Sequence, residues 1–296
     1  MRLVIVTTTL DLERARDCWE SWLLRAAQPI DMYVVCQAGE RRDWEVLARI
    51  PHAGGHHTIY THTVREILGV VPSFAIGVAR ALSDNAAVIA AFHDDLLIEQ
   101  DGWDEDVVRL FKACPRAGLV GFGGAKGLGS DDLYKSPYHP MQLARQGFLS
   151  NMRDAEAHGM RSEAAVPVAC LDGFSQIGLR EFWRGVPYNL EVGLPPSMED
   201  VPVWNNLFTL MKRWGVIHHF YDGMLGCFAR RLGYLVWLLP IKCHHYGGRT
   251  AVADARYLEW ANAQHPPDGT SGDQMFWTQA HQIGYTEFQD VLPIRT

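Results

Sequence analysis

Seven apolar residues run without a break from Ala86 through Phe92, and the run ends abruptly in His93-Asp94-Asp95. Such a run reads as a strand buried on both faces, which needs packed layers above and below it. The segments before it supply them. Residues 3–7 are a short apolar run bounded by Thr7-Thr8-Thr9. Asp11 then opens a stretch in which Leu12, Ala15, Trp19, Trp22, Leu23 and Ala26 recur at three- and four-residue spacing, an amphipathic helix with an N-cap. Met32–Cys36 reads as the second strand, and the spacing predicts a helix over 41–50, a short strand near 58–61 and a helix over 72–82 with Pro72 in its first turn. Strand and helix alternate, so the expected fold class is α/β, with a mostly parallel, doubly wound sheet flanked by helices. In such sheets ligands bind beyond the carboxyl ends of the strands, where His93-Asp94-Asp95 lies.

Further along, a helix is expected over 103–113 and a strand over 118–121. Residues 123–165, rich in Gly, Pro and polar side chains, read as a long excursion bordering the site. Regular structure resumes at 166–171, with helices over 203–214 and 223–232 and a strand at Leu235–Leu239 that leads into Cys243-His244-His245-Tyr246-Gly247-Gly248. No repeat or linker asks for a second domain. The chain is expected to be one domain over 1–250 and a C-terminal extension or lid over 251–296.

With a net charge of −7, nothing suggests a broad electrostatic grip on nucleic acid, which leaves room only for a local basic groove. No stretch approaches 18 uninterrupted apolar residues, so no membrane span is expected, and the first residues lack the pattern of a signal peptide. The six cysteines form no Cys-x-x-Cys pair, which fits buried thiols in a reducing cytoplasm.

Asp94 and Asp95 are adjacent acids at a strand end. Two bare carboxylates side by side repel, and a divalent cation relieves the repulsion. On their own they are equally an acid pair in a turn. Other signals are set aside. Gly121-Phe122-Gly123-Gly124-Ala125-Lys126-Gly127 lacks the helix start of a dinucleotide fingerprint and the Ser or Thr of a phosphate loop. His52, His56, His57 and His62 flank Gly54-Gly55 without a cysteine partner and read as a polar loop. Trp183, Trp204 and Trp237 could stack on sugar rings, but burial is the expected role for each.

The second half of the chain carries a more specific pattern. His219-Phe220-Tyr221-Asp222, an apolar helix through Arg230, Gly233-Tyr234-Leu235-Val236, Pro240 and His244-His245-Tyr246-Gly247-Gly248 follow one another in order. Leu171-Asp172-Gly173-Phe174 and Ile177-Gly178-Leu179-Arg180 precede them. With the Thr-ended first strand and the acidic triplet, this order resembles GT-A glycosyltransferases of the family-2-like group over residues 2 to 250.

The resemblance implies a GT-A (Rossmann-like) fold and a hexosyltransferase-like activity on a nucleotide-sugar donor, uridine diphosphate being the commonest carrier in such enzymes. It places His93-Asp94-Asp95 at the family's Asp-x-Asp motif, with His93 a departure. Asp95 becomes the metal-bound carboxylate, Asp94 a donor-sugar or ribose contact, and His245 (or His244) the later metal ligand. Thr7, Thr8, Thr9 and Arg65 fall on the donor side, with Lys126 a further diphosphate partner. Asp172 and Gly173 fall on the acceptor side. Asp222 matches the base that deprotonates the acceptor hydroxyl, which implies inversion; Glu199-Asp200 is the competing acid pair. Mixed carboxylate and imidazole donors suit Mn²⁺ better than Mg²⁺. The acceptor stays open: a glycan, a small molecule, a protein or a modified nucleic-acid base. Two other classes compete, a metal-dependent nucleotide-sugar hydrolase or nucleotidyltransferase using the same acids, and an inactive binding module that keeps the fold.

Overall fold

A computed structural model describes residues 1–125, 148–184, 221–247 and 254–263. The first half runs β1 (Leu3–Thr9), α1 (Leu12–Leu24), β2 (Asp31–Cys36), β3 (Arg42–His52), β4 (Gly55–Thr63), α2 (Val70–Ser83), β5 (Val88–His93), β6 (Leu96–Ile98), α3 (Trp103–Ala113), β7 (Ala117–Gly121) and β8 (Gly123–Ala125). After these come β9 (Phe148–Ser150), α4 (Ala155–His158), β10 (Met160–Arg161), β11 (Val166–Val168), β12 (Cys170–Leu171), β13 (Ser175–Leu179) and α5 (Arg180–Trp183). The remaining described elements are α6 (Tyr221–Arg231), β14 (Leu235–Leu238), β15 (Cys243–His245) and α7 (Ala255–Ala263).

Nine strands form the central sheet in the order β11-β14-β7-β13-β5-β1-β2-β4-β3. β5, β1, β2 and β4 are parallel neighbours, β7 and β14 are parallel to each other, and β3, β13 and β11 run against their neighbours. The fold is therefore mixed α/β with a large, mostly parallel sheet, compatible with a Rossmann-like arrangement. Alternation along β5 sends Ile89 and Ala91 into one core and Val88, Ala90 and Phe92 into the other, as an apolar run buried on both faces requires. The first core holds Phe74 and Val78 of α2, Phe182 of α5 and Leu225 of α6. The second holds Trp19 and Trp22 of α1 with Trp103 and Val107 of α3. Asp11 caps α1 as expected, its carboxylate accepting from the Glu13 and Arg14 amides.

Three expectations change. Residues 41–50 are not a helix: Trp44, Val46, Ala48 and Ile50 alternate at period two, and β3 pairs with β4 as an antiparallel hairpin. That hairpin also absorbs the histidines read as a polar loop. His57 is buried and accepts the Ile30 amide on Nδ1, while His52 meets it edge-to-face with 4.8 Å between ring centres. Residues 166–171, expected simply as regular structure, resolve into two strands, since β11 joins the central sheet and β12 a second sheet of order β10-β9-β8-β12. Finally, β13 enters the centre of the parallel array antiparallel, between β5 and β7. The expected helix at 203–214, Lys126, Glu199-Asp200, Trp204 and most of 251–296 lie outside the described residues. Trp183 is fully buried and its indole N–H donates to Ile89 O, which favours a packing role over sugar stacking. Cys18, Cys36, Cys170 and Cys243 are buried free thiols and Cys114 a half-buried one. No helix among the described residues is long and apolar enough to cross a membrane.

Helix α2 lies so close on β1 that a Cβ on Gly77 would collide with Val6 Cγ1. Alanine is the better helix former by about 1 kcal/mol, yet Gly77→Ala is expected to destabilise by about 1–3 kcal/mol through overpacking. The denaturation midpoint measures this; an unchanged or higher midpoint would mean that α2 can move off β1 freely.

Candidate metal and acid site

The site is assembled at the carboxyl ends of β1 and β5 by a small two-stranded ribbon. β5 ends in His93, the chain turns through Asp94 and Asp95, and β6 then pairs antiparallel with β15. The register sets His245 opposite Leu96, and the Tyr246 amide donates to Asp95 O at 3.1 Å. The Trp22 indole N–H donates to Leu96 O at 2.6 Å, tying the ribbon to α1. Residues 95 and 245 are thereby neighbours despite their separation in sequence, and His245 Nε2 lies 3.2 Å from Asp95 Oδ1. Strand alternation turns His244 the other way, with Nδ1 3.7 Å from Asp154 Oδ1. Of the two histidines, His245 is the one that faces Asp95.

His93 joins them. Ligand atoms of His93, Asp95 and His245 all lie within 4.8 Å of one another. A tetrahedral ion bonded at about 2.1 Å to each donor holds them about 3.4 Å apart, so the widest separation must shorten by about an ångström or a little more to close the set. The residue that departs from the expected acidic triplet is therefore part of the cluster, a placement that the sequence pattern did not reveal. Asp95 is buried and both imidazoles are half-buried. Phe174 stacks on His245 at 4.7 Å, and Phe74 flanks His93 at 6.2 Å. Two imidazoles and one carboxylate match the donor preferences of Mn²⁺, Fe²⁺, Co²⁺ or Zn²⁺ better than those of Mg²⁺.

Burial pushes the His93 pKa down, with His245 adding to the effect and Asp95 opposing it, so His93 is a neutral imidazole suited to coordination. For His245 burial again acts downward, but the hydrogen bond and charge of Asp95, with Asp172, outweigh it and leave the pKa raised. A bound cation would replace that proton.

Beside the cluster, the loop between β12 and β13 meets the start of α6. Asp222, in the first turn of α6, accepts from the Gly173 amide at 3.2 Å and from the Gly223 amide at 2.8 Å. Asp172 Oδ1 accepts from the Phe174 amide at 3.2 Å. Burial and the nearby Asp172 raise the Asp222 pKa to about 7, against the downward pull of the two amides. A carboxyl so placed is poised to exchange a proton near neutrality.

The donor-side expectations are distributed along the same edge. Thr7, Thr8 and Thr9 end β1 and are buried. Thr8 Oγ1 donates to Val35 O and accepts from Gln37, while Thr9 Oγ1 bonds the Asp11 backbone, so two of the three hydroxyls are engaged within the fold. Gln37 directly follows β2, and its Oε1 accepts from the Leu68 and Gly69 amides. It pins the entry to α2 against β1, a structural task that the sequence did not announce. Arg65 is exposed beyond β4, and Asp94 is half-buried in the turn before β6. A cavity of about 580 Å³, lined by Thr9, Asp11, Gln37, Ala38, Glu40 and Thr63 among others, opens at the ends of β1, β2 and β4. A larger one, about 670 Å³, opens at the opposite edge around Met1, Arg2 and Lys112, away from the acids and histidines.

Helix α7 closes part of this edge. Trp260 packs on Gly69, whose backbone has φ 81°, leaving no room there for a Cβ. Tyr257 is half-buried, and its pKa is raised by burial and by the charges of Asp94 and Asp95.

No family model matches the chain, and no curated protein sequence matches it. Among solved structures the chain is similar to the crystal structure of A197 from STIV. The two are 10% identical over 83% of this chain and 86% of that one, with a TM-score of 0.41. A likeness at that level leaves the site to be judged on its own residues.

Proposed function

We propose that this chain is a metal-dependent glycosyltransferase of the GT-A kind, moving a sugar from a nucleotide-sugar donor to an acceptor hydroxyl with inversion. The observation that carries the reading is the meeting of the His93–Asp95–His245 donor set with the Asp222 carboxyl at one end of the sheet. His93, Asp95 and His245 hold the divalent ion, which when bound supplies charge stabilisation for the departing diphosphate. Asp94 contacts the donor sugar or ribose. Thr7, Thr8, Thr9 and Arg65 line the donor side, where the cavity beyond β1 and β2 has room for a nucleoside, uridine being the first choice. Asp172 and Gly173 form the acceptor side. Asp222 takes the proton of the attacking hydroxyl, and one displacement with one base gives inversion. Residues 1–250 form the catalytic domain and 251–296 the extension; Trp260 on Gly69 and Tyr257 beside Asp94 and Asp95 favour a lid role for it. A cytoplasmic setting belongs to the same reading.

The mixed donor set also favours a second reading, nucleotide-sugar hydrolysis, because an ion on two imidazoles and a carboxylate can activate water. Product analysis decides. Metal-stripped protein incubated with a panel of nucleotide-sugars should release nucleoside diphosphate when Mn²⁺ is restored, far more weakly with Mg²⁺, and faster with a suitable acceptor. Release that ignores every acceptor tested favours the hydrolase, and none from any donor with any metal sinks both.

A further inference from the structure

Tyr221 has no part in the roles above, yet it touches both halves of the site. Its hydroxyl lies 2.6 Å from His93 Nε2 and 3.1 Å from Gly173 O. The side chain is almost wholly enclosed, and a Cβ on Gly173 would fall against its hydroxyl. The next residue, Asp222, accepts from the Gly173 amide. Tyr221 and Asp222 therefore hold the Gly173 residue through its carbonyl and its N–H, and the hydroxyl reaches onward to a candidate ligand.

The proton count at that hydroxyl favours one direction for the two bonds. A phenol has one proton, and a carbonyl can only accept. If the hydroxyl proton goes to Gly173 O, the contact with His93 must be Nε2–H donating to the phenol oxygen. The reverse choice, the phenol donating to Nε2, would deprive a buried carbonyl of its hydrogen bond, which folded proteins avoid. A neutral imidazole with its proton on Nε2 has its lone pair on Nδ1.

We propose that Tyr221 is a positioning residue: it holds His93 as the Nε2–H tautomer through the chain His93 Nε2–H, Tyr221 hydroxyl, Gly173 carbonyl, so that Nδ1 is the nitrogen offered to a divalent ion. This rests on the metal reading of the cluster for its consequence, but not for the tautomer itself. A histidine ligand oriented through its other nitrogen binds metal better, and losing such a partner typically costs about 10–100-fold in affinity. The arrangement also joins the His93 ligand and the Asp222 base to one peptide segment, so a shift of Gly173 moves both.

Two measurements on the full chain test it. In metal-free protein labelled with ¹⁵N-histidine, the His93 signals, identified by their loss in His93→Gln, are expected at the positions of a protonated Nε2 and a bare Nδ1. In Tyr221→Phe they should move toward a mixture of tautomers. A protonated Nδ1 in the native chain overturns the proposal whether or not metal binds, so its failure is distinguishable from failure of the glycosyltransferase reading. The second measurement is Mn²⁺ binding followed by the electron paramagnetic signal of the free ion. Tyr221→Phe is expected to weaken it about 10–100-fold. Unchanged or tighter binding in a variant with native-like circular dichroism would show that the hydroxyl is a bystander or a competitor for Nε2.

Discussion

Asp222→Asn is expected to lower sugar transfer by about 10²–10⁴-fold, the usual contribution of a positioned general base, while donor and metal binding stay near native levels. The asparagine keeps the shape but cannot take a proton, and its single amide oxygen can accept from only one of the Gly173 and Gly223 amides, which bond different carboxylate oxygens in the native chain. In the native chain the working form is the carboxylate, so turnover should fall as pH drops below about 7. The same shift fixes a stability effect of definite sign. A carboxyl whose pKa is raised on folding favours the native state below its unfolded value, and that contribution is lost as pH rises through the folded one. A rise from 3.8 to about 7 corresponds to at most about 4 kcal/mol. The melting temperature of metal-free Asp222→Asn relative to the native chain should therefore be higher at pH 8 than at pH 4, on top of a constant cost for the one amide bond it loses. Unchanged turnover in the variant would remove Asp222 as the base.

Asp95→Ala is expected to abolish metal binding, lowering affinity by more than the roughly 100-fold that loss of an outer hydrogen-bond partner can cost. Asp95 is the one carboxylate of the donor set, and without it two neutral imidazoles remain with no charged group bonded to a divalent ion. Its loss also acts on His245, whose pKa burial would lower and which Asp95 keeps raised. In the native chain metal affinity should climb with pH through the titration of His245, because the ligand must first lose its proton. Calorimetric titration with Mn²⁺ at several pH values measures both effects. Native-like binding in Asp95→Ala would overturn the ligand assignment.

How much of this was legible in the sequence depended on whether local periodicity or distant pairing decided the outcome. The buried run of β5, the α1 cap and the amphipathic face around Trp19 and Trp22 each report on their immediate surroundings, and all three could be read from a dozen residues. The segment 41–50 was misread because Leu47 interrupts a two-residue alternation, and the register of β3 shifts between Val46 and Ala48 at that point. β13 could not be foreseen as a central antiparallel strand, since its neighbours β5 and β7 are set by the whole sheet. In the site, Asp95 and His245 were visible as polar residues at strand ends, and their contact follows from the β6–β15 register. His93 looked like a defect in the acidic triplet. His245 and Tyr221 approach it from elsewhere in the chain.

The measurement that bears most directly on metal-dependent donor binding is thermal unfolding against a panel of nucleoside diphosphates and nucleotide-sugars, with and without Mn²⁺, on the native chain and on Asp95→Ala. A ligand that binds only the folded state raises the melting temperature, and no acceptor is needed. The account predicts a rise with one nucleoside diphosphate family only when Mn²⁺ is present, and no such rise in Asp95→Ala. Stabilisation by nucleotides that is indifferent to Mn²⁺, or none with any nucleotide at saturating Mn²⁺, would contradict it.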